Sequence, residues 1–343
     1  METKRFRLPA RIDSLQALRF FGAMCITVYH FSGIQGSLPF DFSHAVYLFY
    51  MVSGFVVMLS TDDPKKKKFF LTRRLIRVLP LYWGLTVLTF AAGLMFPSLI
   101  GYRPTAEQLI KSLLFIPYRR ATARASEAIR PLVGLGHTLQ YEMLFYLFFM
   151  VAMHISHKRR GYIAAGFAAA AALVGVFFPT KEPVVHFYTA NRYAWAAFIA
   201  GLACYGIFDL LQRRVIVLKT GALPIAGAAA AALFAVPVFI TETSVWYDLF
   251  MFFAVLCAGL FWSACGRGTP RVLVIPGNIS FSYYLIHYYT VTLSARLLGI
   301  NSFSLRNLLL AAAVTAATWG ISWVSWYLVE KKFSGYLLSK LPA

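Results

Sequence analysis

Four ionisable side chains lie inside long apolar stretches of this sequence: Arg19, His30, Glu142 and His287. An ionisable group is costly within a membrane-like segment, so each of the four is a candidate functional residue. Histidine suits acid–base chemistry at neutral pH because its ordinary pKa is about 6.5. A nearby carboxylate would raise the affinity of a histidine for a proton. The set therefore indicates either proton-transfer chemistry or a polar pathway.

The spacing of these residues predicts which of them lie at the same depth in the membrane. Arg19 and His30 are eleven residues apart, which on a helix separates them by about 20° in azimuth and roughly 16 Å in height. They would line one face at two depths, with His30 in the outer half. Glu142 follows His137 by five residues in another apolar segment and is predicted at the depth of His30. The alternatives are an Arg19 that reaches the lipid headgroups and structural hydrogen bonds for the other two.

A second polar stripe is predicted late in the chain. Ser280, Tyr284 and His287 recur at i, i+4 and i+7 and therefore share one helical face. Ser53 and the pair Tyr283–Tyr284 are weaker companions. A stripe of this composition is more typical of interhelical hydrogen bonding than of a catalytic set, and both interpretations stay open.

A basic run from Lys65 to Arg77 precedes the third apolar segment. Arg74 and Arg77 are three residues apart and share a helical face, so their guanidinium groups could hold a phosphate-bearing ligand. Such runs also commonly bind anionic lipid, which is the alternative.

Composition limits the class of protein. The chain has 343 residues, of which 59% are hydrophobic and only 13% charged, so a membrane protein is expected. The formal net charge is +20, but the basic residues form short runs between apolar stretches, and a nucleic-acid partner is not predicted. Neither a disulfide nor a metal site is expected from the four cysteines, which all lie in apolar runs; they are Cys25, Cys204, Cys257 and Cys265.

Ten stretches approach the roughly 20 apolar residues that a spanning helix needs. We predict an all-α polytopic membrane protein with about ten transmembrane helices, near residues 13–34, 43–62, 79–99, 137–157, 161–178, 191–210, 220–239, 246–264, 278–298 and 306–329. The first stretch is predicted to be a retained helix, and residues 1–343 to form a single membrane domain.

The distribution of basic residues predicts the orientation. With the N-terminus in the cytoplasm, 22 of the 33 Lys and Arg residues lie inside and 7 outside. Both termini are therefore predicted to be cytoplasmic. The longest outside loop, 100–136, contains the spacing of a capping box at Thr105 and Gln108, which predicts a short helix at the membrane interface. This loop is either an acceptor platform or a solvated loop.

Five segments, in this order, resemble the motifs of one family: Arg11–Arg19 with His30, Phe49–Phe55, Arg74-x-x-Arg77, Gly136–Glu142 and Gly277–His287. The chain thereby resembles the acyltransferase-3 family of integral membrane proteins, notably its bacterial exopolysaccharide O-acetyltransferases. One position departs from the pattern, because His137 stands where the family usually has Trp.

The resemblance implies transfer of an acyl group, usually acetyl from acetyl-CoA, to a hydroxyl of a surface glycan or lipid-linked oligosaccharide. It implies a multi-pass protein of the bacterial inner membrane, in contact with membrane lipids, with acyl-CoA as a donor substrate and no permanently bound cofactor. His30 would be the general base and Glu142 would orient it. Arg19, Arg74 and Arg77 would bind the donor, with Ser53, Tyr284 and His287 as further polar candidates.

Two other classes also accommodate these residues. A transporter or flippase of a lipid-linked glycan could line its pathway with the same His, Arg and Glu side chains. It would not account for the order of the motifs. A sensor or scaffold would leave the charged groups in the membrane without a purpose.

Overall fold

The structure is a computed structural model that describes residues 4–5, 12–38, 41–100, 102–119, 129–213, 217–218 and 244–341. Its α-helices are α1 Asp13–His30, α2 Ser32–Gln35, α3 Val46–Ser60, α4 Phe70–Met95, α5 Pro97–Ile100, α6 Ala106–Leu113, α7 Gly136–Ile155, α8 Arg160–Phe177, α9 Pro183–Ala190, α10 Arg192–Arg213, α11 Val245–Ala264, α12 Arg271–Leu298, α13 Leu305–Ser325 and α14 Gly335–Ser339. Phe42–Ala45 and Pro64–Lys67 are 3-10 helices, and Trp326–Ser334 is a π-helix. One short antiparallel pair joins Lys4–Arg5 to Val217–Leu218.

Seven helical stretches are long and apolar enough to cross a membrane, counted over the described part of the chain: Phe42–Ser60, Phe70–Met95, Gly136–Ile155, Arg160–Phe177, Arg192–Gln212, Val245–Ala264 and Leu305–Ser339. Each coincides with one of the ten predicted segments. The prediction of an all-α polytopic membrane protein is confirmed. The total of ten spans and the cytoplasmic position of both termini stay predictions.

The other three predicted segments differ from these seven. Segments 13–34 and 278–298 coincide with α1 and α12, which have the length of a span but are less apolar because they carry the polar candidate residues. Segment 220–239 lies outside the described residues.

Two helices begin earlier than their apolar segments. The segment predicted at 79–99 corresponds to α4, which begins at Phe70 and continues through Pro80. Likewise α12 begins at Arg271, seven residues before 278, and continues through Pro276. An apolar stretch indicates only the part of a helix that lies in lipid, and a helix can extend beyond it. The basic residues near Arg74 therefore lie on helical turns.

The chain divides into two compact units, the first formed by 1–59 and 197–323. In this unit α1 packs along α12 so closely that a methyl group on Gly277 would overlap the backbone oxygen of Gln16. The hydroxyl groups of Thr27 and Tyr283 hydrogen-bond across the two helices at 2.6 Å. Small residues and polar pairs of this kind stabilise helix contacts in lipid, where the hydrophobic effect provides little driving force for helix association.

The second unit comprises 60–196 and 324–343. Helices α4 and α7 run antiparallel, since Phe70 contacts Phe149 near one end and Tyr82 lies against Gly136 at the other. Arg160 is buried and donates through Nε to the hydroxyl of Thr61, which fastens the turn after α3 to the start of α8.

The predicted helix in the long loop is α6, and its capping box is confirmed. The Thr105 hydroxyl accepts from the backbone N–H of Gln108, while the Gln108 side chain accepts from the backbone N–H of Thr105. Ser112, near the end of α6, is wholly buried; its hydroxyl hydrogen-bonds that of Tyr118 at 3.0 Å and accepts from the Leu132 N–H at 3.0 Å. The described residues Tyr118 and Leu132, which follow α6 in the loop, are therefore held against that helix.

Candidate active site

The first unit brings two of the predicted histidines together. His30 is the last residue of α1, and its ring centroid lies 5.2 Å from that of His287 on α12. The Tyr288 ring is equally close, at 5.1 Å. His30 is half-buried, whereas His287 is fully buried. Of the pair, His30 is thus the side chain that a substrate can reach.

Hydrogen bonds define the protonation pattern of His287. Its Nδ1 lies 3.1 Å from the Tyr283 carbonyl and 2.8 Å from the Tyr284 carbonyl, and since carbonyls only accept, Nδ1 must carry the proton. In the neutral ring Nε2 then bears the lone pair. That atom is buried and has no hydrogen-bond partner among the described residues. A buried acceptor left unpaired costs about 1–3 kcal/mol, so this lone pair is a candidate contact for a ligand or a reacting group.

The predicted stripe on α12 is present and faces the interior. Ser280, Tyr284 and His287 are all buried. The Ser280 hydroxyl also has no partner in the part of the chain that the structure describes. Tyr284 packs against Phe49 of the Phe49–Phe55 motif, with centroids 5.8 Å apart. The stripe combines a packing contact with two unpaired polar atoms.

Two other predicted residues of this unit lie on α3 and α1. Ser53 is half-buried on α3. Arg19 donates from Nη1 to the Gln16 side chain, one turn earlier on α1, at 3.3 Å. That contact stays within α1 and keeps the guanidinium near Gln16.

The second unit brings Arg74 and Glu142 against one tyrosine. The Arg74 guanidinium donates to the Ser60 hydroxyl at 2.8 Å and lies over the rings of Phe70 and Tyr146, at 5.6 and 5.3 Å from their centroids. The Tyr146 hydroxyl in turn donates to the Glu142 carboxylate. Because Tyr146 is near the midpoint of α7, the Arg74 guanidinium lies alongside the middle of that helix.

The remaining donor candidate, Arg77, is exposed one turn further along α4. It has no ion pair or side-chain hydrogen bond among the residues described. His30 belongs to the first unit and Glu142 to the second, so the predicted pairing of these two residues stays a prediction.

The structure adds two features that the sequence analysis missed. His44 Nδ1 and Asp248 Oδ2 are 2.6 Å apart, joining the 3-10 helix before α3 to the first turns of α11. Gln140 of α7 is wholly buried, and neither polar atom of its side chain has a partner within the described ranges. Both could have been found: Asp248 is a carboxylate in the predicted span 246–264, and Gln140 lies inside the motif Gly136–Glu142.

All four cysteines are free, and the sulfur atoms of Cys204 and Cys257 are 3.6 Å apart. The described residues contain no group of three or more His, Cys, Asp or Glu side chains that could hold a metal ion.

Comparisons with known proteins identify the same family as the motifs. A family model described as "Acyltransferase domain" matches residues 12–327, a stretch that includes every candidate site residue. The exopolysaccharide production protein ExoZ of Rhizobium meliloti (strain 1021) is 28% identical over 259 residues, which cover 73% of this chain and 76% of that protein. No solved structure matches the chain significantly.

Proposed function

Since the chain belongs to the acyltransferase-3 family and is a membrane acyltransferase, we propose that it is an O-acetyltransferase. It moves an acetyl group from acetyl-CoA to a hydroxyl of an exopolysaccharide or another surface glycan. The printed name of the relative, an exopolysaccharide production protein, supports the glycan as acceptor. The reaction is an O-acyl transfer in the bacterial inner membrane, with the donor supplied from the cytoplasm.

The observation that carries the assignment of the site is the contact between His30 and His287, with ring centroids 5.2 Å apart. His30 takes the proton from the acceptor hydroxyl as its oxygen attacks the thioester carbonyl. The new C–O bond forms, the C–S bond breaks, and the CoA thiolate leaves and receives the proton from His30. General acid–base catalysis of this kind contributes about 10²–10⁴-fold to a rate.

His287 supports this step as a positioning residue. Its Nδ1–H is held by two backbone carbonyls. Its ring is stacked on that of Tyr283, at 5.3 Å and 5°. The unpaired lone pair on Nε2 is thus presented in one direction from a ring that cannot turn freely. Glu142 keeps its proposed role of orienting and polarising His30.

The donor is proposed to bind through arginine side chains. Arg77 is exposed on α4, and Arg74 is already fixed by Ser60 and two aromatic rings. Guanidinium groups bind phosphate oxygens in bidentate fashion, which suits the phosphates of CoA. Arg19 is a third candidate. The flexible pantetheine arm would carry the thioester from these phosphates to the reacting histidine.

The first experiment is mass spectrometry of surface glycan from cells with and without the gene. The proposal expects loss of an alkali-labile acyl mass from otherwise unchanged glycan when the gene is deleted. Purified protein in liposomes should then transfer labelled acetyl from acetyl-CoA to the de-acylated glycan. A deletion that lowers the amount of surface glycan without altering its acyl content would instead support a transporter.

A further inference from the structure

The second unit contains an open cavity of about 340 Å³, which is within the size range of small-molecule sites. Its wall is formed by the first turns of α7, by α9 with the residue that follows it, and by the bridge between Arg119 and Ile129. Its polar and aromatic lining residues are Arg119, His137, Tyr141, His186, Phe187 and Asn191. None of the residues that line it is acidic.

Local structure holds this wall in place. Helix α9 begins with a cap in which the Glu182 carboxylate accepts from the backbone N–H groups of Val184 and Val185, at 2.9 and 3.2 Å. The Tyr141 hydroxyl donates to the Phe187 carbonyl, which fastens α9 to α7. Asn191 accepts from the N–H of Ala194 at 3.1 Å, so its side chain is fixed at the start of α10. The cavity is therefore preorganised.

The lining combines an aromatic surface with polar groups. The rings of Tyr141 and Phe187 pack 4.7 Å apart at 35°. His137 Nδ1 lies 2.8 Å from the Gly134 carbonyl and must donate to it, which leaves Nε2 as an acceptor. His186 is exposed, and its ring nitrogens have no hydrogen-bond partner among the described residues. Arg119 donates to the Lys181 carbonyl at 2.8 Å, which directs its guanidinium along the rim.

The position of the cavity also separates it from the basic end of its unit. It adjoins His137 in the first turn of α7, whereas Arg160 and His157 lie beyond the other end of that helix. Twenty residues of helix span about 30 Å, the thickness of the hydrocarbon core. If the basic end is cytoplasmic, as the charge distribution predicts, the cavity opens toward the opposite side, where a surface glycan is met.

We propose that this cavity is an acceptor subsite that binds one sugar ring of the glycan. The inference rests on the proposed function and adds the place where its acceptor is recognised. A pyranose has C–H faces, which pack on the electron-rich faces of aromatic rings, and hydroxyl groups that both donate and accept hydrogen bonds. Tyr141 and Phe187, which are buried against each other, add apolar ring surface to the wall, and His137, His186 and Asn191 add polar groups. A site built to hydrogen-bond hydroxyl groups also discriminates strongly against molecules that lack them.

The test uses two variants that disturb the cavity in opposite ways. His186→Ala removes an exposed polar group, and Ala190→Trp adds bulk at another lining residue. The matched control is His154→Ala, because His154 is an exposed histidine near the opposite end of α7. The probe is a set of oligosaccharides obtained by mild acid hydrolysis of exopolysaccharide from cells that lack the gene. Binding to the full-length protein is measured without donor by saturation-transfer NMR, and transfer is measured with acetyl-CoA.

Loss of one hydrogen bond predicts about three- to tenfold weaker oligosaccharide binding by His186→Ala. Ala190→Trp should weaken binding at least as much. KM for the oligosaccharide should rise in both variants, while KM for acetyl-CoA stays unchanged. The control variant His154→Ala should keep wild-type values of both KM and oligosaccharide affinity. Wild-type oligosaccharide affinity in both variants would overturn the subsite and leave the proposed function standing.

Failure of the proposed function would give a different result from failure of the subsite. Wild-type protein that binds the oligosaccharides, loses binding in both variants and transfers no acetyl group would support the subsite and overturn the proposed function. Displacement of the oligosaccharides by phosphatidylglycerol vesicles, but not by phosphatidylcholine vesicles, would overturn the subsite in favour of a lipid headgroup site.

Discussion

At the scale of single residues, the two histidines differ in what their surroundings allow. His287 is fully buried and its Nδ1 proton is committed to backbone carbonyls. His30 is half-buried at the end of α1, where the chain leaves the helix. Proton transfer to a substrate needs a group that the substrate can reach, so His30 suits the base and His287 suits the orientation of its neighbours.

Substitution of His30 separates catalysis from structure. His30→Ala should retain donor binding and lose transfer by about 10²–10⁴-fold. His30→Gln keeps hydrogen-bonding groups but has no proton to exchange, so it should be nearly as inactive as Ala. The measurement is acyl transfer by purified protein in liposomes, with thermal stability and donor binding recorded in parallel. Near-wild-type transfer by His30→Gln would exclude His30 as the general base and direct the search for the base to His287.

At the scale of helices, two of the family motifs also serve helix packing. Gly277, the first residue of Gly277–His287, lies against the backbone of Gln16 inside the motif Arg11–Arg19. Gly54 of Phe49–Phe55 similarly adjoins the backbone of Phe198 on α10. Small residues at these points let helix backbones approach each other closely. Contact between α1 and α12 is what brings His30 to His287.

Gly277→Val tests that contact. The added side chain overlaps backbone, which cannot move aside as a side chain can, so we expect a loss of about 3 kcal/mol or more and loss of transfer. Gly320→Val is the control, because a Cβ on Gly320 of α13 meets nothing within 4 Å. Thermal unfolding in detergent measures both variants. Equal melting temperatures for the two would contradict the close approach of α1 and α12.

The arginines of α4 give a second prediction at this scale. Arg77→Ala should weaken acetyl-CoA binding about tenfold or more without lowering thermal stability, because its side chain is exposed. Arg74→Ala should lower both, since Arg74 also binds Ser60. The loss of affinity should shrink at high salt, where phosphate contacts are screened.

Arg159→Ala is the matched control for the arginine variants. Arg159 is exposed and lies at the start of α8. Donor affinity is measured by equilibrium binding of labelled acetyl-CoA at low and high salt. Unchanged affinity in the double variant of Arg74 and Arg77 would remove both arginines from the donor site.

At the scale of the whole molecule, the proposed reaction requires a donor from the cytoplasm and an acceptor on the other side of the membrane. Basic residues cluster in the runs Lys65–Lys68 and Lys158–Arg160, and a chain of this kind keeps such runs inside. Within the second unit, Arg160 binds the hydroxyl of Thr61, so the turns that carry the two runs are joined. The charge distribution thus predicts the orientation, and one experiment tests that prediction.

Single cysteines introduced at Lys66, Arg124 and Lys340, in a variant whose native cysteines are alanine, test the topology. The positive-inside distribution predicts that the first and third are labelled only after the membrane is permeabilised to the reagent. The cysteine at Arg124 should be labelled in intact spheroplasts. Labelling of Arg124 and Lys66 from the same side would contradict the ten-span arrangement.

The sequence by itself determined the helical membrane architecture, because apolar length and flanking charge act locally along the chain. It determined the shared face of Ser280, Tyr284 and His287, since helical periodicity relates residues a few positions apart. The capping box of α6 is equally local, and the family followed from five motifs in order.

Only the tertiary structure decided which distant groups meet. It placed His30 against His287, His44 beside Asp248, and Arg74 on the tyrosine that binds Glu142. It also assembled one cavity from α7, α9 and the bridge between Arg119 and Ile129. The physical reason is that apolar helix surfaces resemble one another in lipid, so hydropathy does not select partners. Close-packed glycines and a few polar pairs select them, and their effect exists only once two helices touch.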